Sequence, residues 1–219
     1  MKKMHHAAVK ALLHNDRVAA AQTFFKPQYE RILQLDSARK TGNGPQIYID
    51  KSKTLPLNTE ILGDLVPAFR GEDTAIEYLG RFWELEEYSY ADGVAFISDR
   101  WYLIWQVPQH RQLEALQSLS TDGAQPIDIK VSDTIIEKVI LNLKQLPDWT
   151  PEQLDTILSN QALETSGLGV KTIWTVLRAA LVGDVTIPIM AGRNLIFLLG
   201  RDETLRRFGG AKSALEHVG

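Results

Sequence analysis

The run at 174–200, WTVLRAALVGDVTIPIMAGRNLIFLLG, decides how the chain is read, because it is nearly apolar enough for a membrane span yet carries Arg178, Asp184, Arg193 and Pro188. A spanning helix needs about 20 predominantly apolar residues, and an ionised side chain near its centre is costly. The charges therefore exclude a span. What remains is a pair of buried helices joined by a turn over 183–188. Loop backbone groups need water or a partner, so the turn is the first place to look for a ligand.

Placed on a helix, Ile173, Val176, Leu177, Ala180 and Leu181 form one stripe, with Lys171, Trp174 and Arg178 in a row beside it. An ammonium, an indole and a guanidinium in one row suit a surface for phosphates and bases. A second reading stands beside this one, in which Trp174 caps the core edge and Arg178 pairs with Glu203 or Asp202. Ile187, Pro188 and Met190 are either contacts for bases or an apolar turn folded onto the core. Arg193, with Arg201, Arg206 and Arg207 further on, either meets phosphates or lies on a solvated helix face; the solvated face is the expectation for Arg206 and Arg207.

Working outward, 219 residues suffice for one large domain or two small ones with a sizeable core. The absence of cysteine excludes disulfides and thiolate metal sites and fits a reducing compartment. MKKMHHAAVKALLH at the amino terminus has no apolar core of useful length and no cleavage site, so the expected location is the cytoplasm. The formal net charge is −3, unevenly spread. Residues 1–60 carry about five more basic than acidic side chains, 61–149 about eight more acidic, and 150–219 are near balance. A phosphate-binding surface is then confined to the ends. His5, His6, His14, His110 and His217 lack ligand spacing, and no catalytic residues, metal ligands or cofactor are expected.

Leu12, Leu13, Val18, Phe24, Phe25, Tyr29, Ile32 and Leu33 recur at helical spacing among basic residues, and TGNGP at 41–45 reads as a linker. Residues 73–88 predict a helix with an acidic outer face. In contrast, GVAFISDRWYLIWQVP at 93–108 shows two β-prone runs flanking Ser98-Asp99-Arg100, which suit a small hairpin near 93–107 or a tightly packed aromatic corner. A helix is expected over 133–146, from Ile136, Val139, Ile140, Leu143 and Leu146. Another starts at Thr150-Pro151-Glu152-Gln153, with Thr150 as cap, Trp149 stapled to Leu154, and Gly167 and Gly169 at its end. The fold class is mainly α, with expected divisions 1–54, a basic helical extension and linker, then 55–147 and 148–219 as two helical subdomains.

Several spaced elements carry a family resemblance: Trp149 with PEQLD, GLGVK at 167–171, LRAALVG at 177–183, Pro188, LLG at 198–200 and RDETLRRF at 201–208. Together they resemble the carboxy-terminal anticodon-binding region of bacterial-type glutamyl-tRNA synthetases, a class I family. LVPAFRGEDTAIEYLGRFWELEEY at 65–88 resembles the preceding helical subdomain of that family. The resemblance implies a helical cage, in two subdomains, whose end loops clasp a tRNA anticodon. It makes Lys171, Trp174, Arg178, Ile187, Pro188, Met190 and Arg193 candidates for RNA contact, with Arg70 presented to the first anticodon base.

The implied partners are a tRNA, that for glutamate, and a separate synthetase catalytic chain, with no membrane, the chain standing as a fragment, a split half or a paralogue of such a synthetase. The family's His-x-Gly-His-like and Lys-x-Ser-Lys-like ATP motifs do not occur in working form, KSK at 51–53 being the nearest echo. Ile187-Pro188-Ile189-Met190 stands where the family has Ser/Thr-Pro-Gly-Leu, which alters the base contacts. The alternative is a helical protein–protein scaffold that has lost RNA binding.

Overall fold

The computed structural model describes residues 6–42, 46–50, 53–56, 62–85, 90, 93–120, 126–158, 169–185 and 190–217. They form a mainly α structure in two compact units, Met1–Gln106 and Val107–Gly219. That division differs from the boundaries read at 54/55 and 147/148.

The amino-terminal unit opens with α1 (His6–Asn15) and α2 (Arg17–Ala20), the second capped by Asp16, whose carboxylate accepts the Ala19 N–H at 2.9 Å. A π turn over Ala21–Phe25 then leads into α3 (Lys26–Lys40). Its cause is Pro27, which offers no N–H and whose ring crowds the carbonyl four residues back. The wider turn absorbs the proline: the Lys26 N–H bonds Ala21 O, five residues back. Leu13, Phe25, Tyr29 and Ile32 are buried as the periodicity requires, but Val18 and Leu33 face outward.

Next come an antiparallel pair, β1 (Gln46–Asp50) and β2 (Lys53–Pro56), in register Ile47↔Leu55, and a 3-10 turn over Pro67–Arg70. This pair lies directly after the stretch read as a linker, of which 43–45 fall outside the described residues. The acidic helix is α4 (Glu72–Leu85).

The hairpin expected near 93–107 is helical instead: α5 (Gly93–Asp99) and α6 (Trp101–Ile104) occupy it, and only Trp105 bridges, to Leu65. Phe96, Ile97, Trp101, Tyr102, Leu103 and Ile104 are all buried. A short apolar run buried on every side has no alternation to show, so its period does not separate strand from helix. Phe96 joins Phe82 and Trp83 in an aromatic cluster, edge to face on Phe82 with centroids 5.0 Å apart and stacked on Trp83. Asp36 ties α3 to this stretch, accepting from Arg39 Nε at 2.7 Å and Trp105 Nε1 at 2.9 Å, while Arg39 donates to Leu62 O at 3.1 Å.

The carboxy-terminal unit holds α7 (Gln109–Gln117), α8 (Ile129–Lys144), α9 (Pro151–Ile157), α10 (Val170–Val182) and α11 (Gly192–Glu216). Asp128 caps α8 through the Lys130 N–H at 2.9 Å, so that helix starts four residues before the expected 133. Thr150 caps α9 as read, accepting the Gln153 N–H at 3.3 Å. That helix ends at Ile157; Leu163 and Gly167 fall outside the described residues, and Gly169 caps the start of α10 rather than the end of α9. α10 packs on α7 and α11, and α11 on α8. The long α11 is broken at Gly200 (φ 77°, ψ 171°), a conformation open to glycine.

Candidate nucleic-acid interface

Along α10 the predicted stripe is fully inside: Ile173, Val176, Leu177 and Ala180 are 0% exposed. The row beside it lies at the surface, with Lys171 exposed and Trp174 and Arg178 half-buried. Spacings of three and four bring these side chains onto one edge of the helix. Gly183 ends α10 in the left-handed region (φ 66°), its N–H bonded to Ala179 O at 2.8 Å. A Cβ there would stand 2.7 Å from Val107 Cγ1. The chain therefore turns hard against the start of α7. Asp184 is buried beside Arg111, Nη2 to Oδ2 3.9 Å, and burial pulls the Arg111 guanidinium below its ordinary pKa despite Asp184 and Glu114.

Beyond the turn, α11 begins under the indole of Trp174. A Cβ on Gly192 would lie 2.3 Å from ring atom Cζ3. The absent side chain is what lets the ring approach the backbone this closely. Lys171, Trp174, Arg178, Met190, Gly192 and Leu195 line a cleft of about 320 Å³, toward the small end of the ~300–1,000 Å³ usual for ligand sites. Met190, read as either a contact for bases or part of a turn folded onto the core, is 4% exposed and forms part of the cleft lining. A half-buried indole, a guanidinium, an ammonium and a thioether around one hollow can stack a planar ring and neutralise an adjacent phosphate.

The other candidates are placed differently. Ile187 and Pro188 lie outside the described residues. Arg193 is at the surface and paired with Asp155. Arg70 ends the 3-10 turn of the amino-terminal unit, exposed. Among the described residues, no group of side chains could hold a metal ion and no helix is long and apolar enough to cross a membrane.

Arg207, expected on a solvated face, is buried completely. It donates to Glu203 Oε1 at 2.7 Å and to Leu181 O at 2.8 Å, while Arg206 takes Glu203 Oε2 at 2.8 Å. Burial pushes the Glu203 carboxyl up, but hydrogen bonds and charge from Arg206 and Arg207 together outweigh it and hold the pKa low. From α7, buried Gln112 donates to Ala180 O and, at 2.9 Å, to Arg207 O. The last turn of α10 is thus clamped by polar groups from two neighbours, which fixes the row that ends at Arg178. Spacing of four between Glu203 and Arg207 was the available signal, but it reads equally as a surface pair.

Residues 111–211, which include the whole cleft, match the family model described as an anticodon binding domain. The chain is similar to the glutamate–tRNA ligase of Myxococcus xanthus (strain DK1622), 38% identical over 77 residues, 35% of this chain and 15% of the relative. It is also similar to glutamate–tRNA ligase 1 of Dinoroseobacter shibae, 34% identical over 100 residues, 42% of this chain and 21% of the relative. The carboxy-terminal unit carries an anticodon-binding region of the glutamyl-tRNA synthetase type.

A third such relative, glutamate–tRNA ligase 1 of Bartonella tribocorum, is 38% identical over 86 residues, 39% of this chain and 17% of its own. The alignments therefore span about a fifth or less of each relative's length. The family match begins at 111 and does not include Arg70 or residues 65–88. No solved structure matches the chain.

Proposed function

We propose that the chain is a tRNA-binding module that reads the anticodon loop of a glutamate tRNA at the Trp174 cleft and supports glutamyl-tRNA formation by a separate synthetase catalytic chain. The observation that carries this reading is that Lys171, Trp174, Arg178 and Met190, chosen for base and phosphate chemistry, line one cleft inside the matched 111–211 segment. In it a splayed base stacks on Trp174, Met190 and Leu195 back the ring, and Arg178 and Lys171 take the flanking phosphates. Ile187 and Pro188, outside the described residues, are proposed as further contacts for bases. Arg193 exchanges Asp155 for a phosphate, and Arg70 contacts the first anticodon base.

The pairing of Arg193 with Asp155 favours a second reading, in which the helical cage persists as a protein–protein scaffold without RNA. Titration against glutamate tRNA, with an anticodon-swapped tRNA as control, separates the two. Trp174→Ala is expected to weaken cognate binding by about 1–3 kcal/mol. Arg178→Ala is expected to weaken it and to reduce the salt slope by about one. Binding of neither tRNA would leave the scaffold reading, and affinity unaltered in both variants or equal for both tRNAs would overturn anticodon reading at this cleft.

A further inference from the structure

The part of α11 beyond its break holds both walls of the Trp174 cleft, although none of its described residues lines the cleft itself. At Gly200 nothing lies within 4 Å of a would-be Cβ, so glycine is required there for its backbone angles and not for space. Ile196 and Thr204 stand either side of the break. Eight residues of continuous helix span about 12 Å, yet the Thr204 hydroxyl donates to Ile196 O at 3.3 Å, so the break folds the two halves of α11 together. Leu195, the neighbour of Ile196, lines the α11 wall.

The α10 wall is gripped from the same segment. Ala180 O and Leu181 O lie in the last turn of α10, where the helix has no N–H of its own to offer. Buried Arg207 donates to Leu181 O at 2.8 Å, and the Leu181 side chain lines the cleft. Buried Gln112 of α7 joins the two helices through a single nitrogen, Nε2, which donates to both Ala180 O and Arg207 O.

We propose that Thr204, Arg207 and Gln112 are positioning residues that set the gap between the two walls, and thereby which base the cleft accepts, without touching RNA. This rests on the reading of the cleft as the anticodon site. Apolar contact is non-directional and lets helices slide, whereas hydrogen bonds in a dry interior fix their register. Apolar residues of like volume often stabilise an interior as well as a buried polar network does, so what the network adds is one defined spacing. Stacking alone tolerates any base. Discrimination between bases therefore depends on that spacing, and contact with phosphates does not.

The test uses the full chain carrying 5-fluorotryptophan at its five tryptophans, with the Trp174 resonance assigned by its loss in Trp174→Phe. Thr204→Val and Gln112→Met are expected to shift that resonance while those of Trp83, Trp101 and Trp105 stay in place. The preference for glutamate tRNA over an anticodon-swapped tRNA should fall about fivefold, the worth of one net hydrogen bond, at an unchanged salt slope. Thr204→Ser, which keeps the hydroxyl, should retain both. Thr204→Val only exchanges a hydroxyl for a methyl, and it decides the matter if Gln112→Met does not fold. Folded variants with wild-type resonance and preference would overturn the inference while leaving the cleft reading intact. Equal weakening toward both tRNAs would also overturn it, marking the network as structural alone. A wild type without preference would instead overturn the anticodon reading and the specificity role together.

Discussion

At Gly192 a missing side chain decides where an aromatic ring lies. An alanine there has its Cβ 2.3 Å from the Trp174 ring, well inside contact distance, so the indole swings out or the start of α11 shifts. Gly192→Ala is expected to cost about 1–3 kcal/mol as overpacking, measured by urea denaturation. It should also weaken RNA binding although it removes no contacting group, and Gly192→Ala with Trp174→Ala should bind no worse than Trp174→Ala alone. A folded Gly192→Ala variant with wild-type affinity would show that the seating of the ring plays no part. The row of Lys171, Trp174 and Arg178 was legible because helical periodicity fixes which way each side chain points. Gly192 was not, since its role exists only once α10 and α11 are packed. Arg207 was misread for a related reason: nothing local reveals that Gln112 and Leu181 close over it.

Two glycines inside the helical elements respond oppositely to the same substitution. Gly183 ends α10 at φ 66° with Val107 Cγ1 2.7 Å from its would-be Cβ, so Gly183→Ala carries about 1–3 kcal/mol of backbone strain, with the clash added. Gly80 sits in the middle of α4, where a Cβ would meet Phe25 at 3.7 Å and Leu13 at 3.9 Å, ordinary contacts. Gly80→Ala therefore stabilises by about 0.5–1 kcal/mol through helix propensity. Thermal or urea unfolding of both variants checks the opposite signs; a destabilised Gly80→Ala would contradict the packing of α4 on α1 and the π turn. At this scale the sequence was read best where an element announces its own end, as Thr150-Pro151 does through capping chemistry. It was read worst at 93–107, where burial on all sides erases periodicity.

For the molecule as a whole, each unit stakes its interior on a carboxylate held by arginine: Asp36 with Arg39 in one, Glu203 with Arg207 in the other. Burial raises the Asp36 carboxyl, but hydrogen bonds from Lys40, Trp105 and Arg39 exceed that and hold it below its ordinary 3.8. Glu203 is held below its ordinary 4.5 in the same manner. A carboxyl whose folded pKa is depressed adds stability that is present above its unfolded value and is lost as pH falls through the folded one. Burial acts alone to better effect at Asp99, raising its carboxyl beyond what Arg100 offsets, so that group pulls the other way. Urea midpoints are accordingly expected to fall between about pH 5 and pH 2. Glu203→Gln should cost about 3–5 kcal/mol at neutral pH, because it strands a buried guanidinium. It should also flatten the acid limb of the transition of its own unit, and Asp36→Asn should do the same for the amino-terminal one. An acid limb as steep in both variants as in wild type would mean that other carboxylates set the pH dependence and that these two clamps titrate as ordinary surface groups.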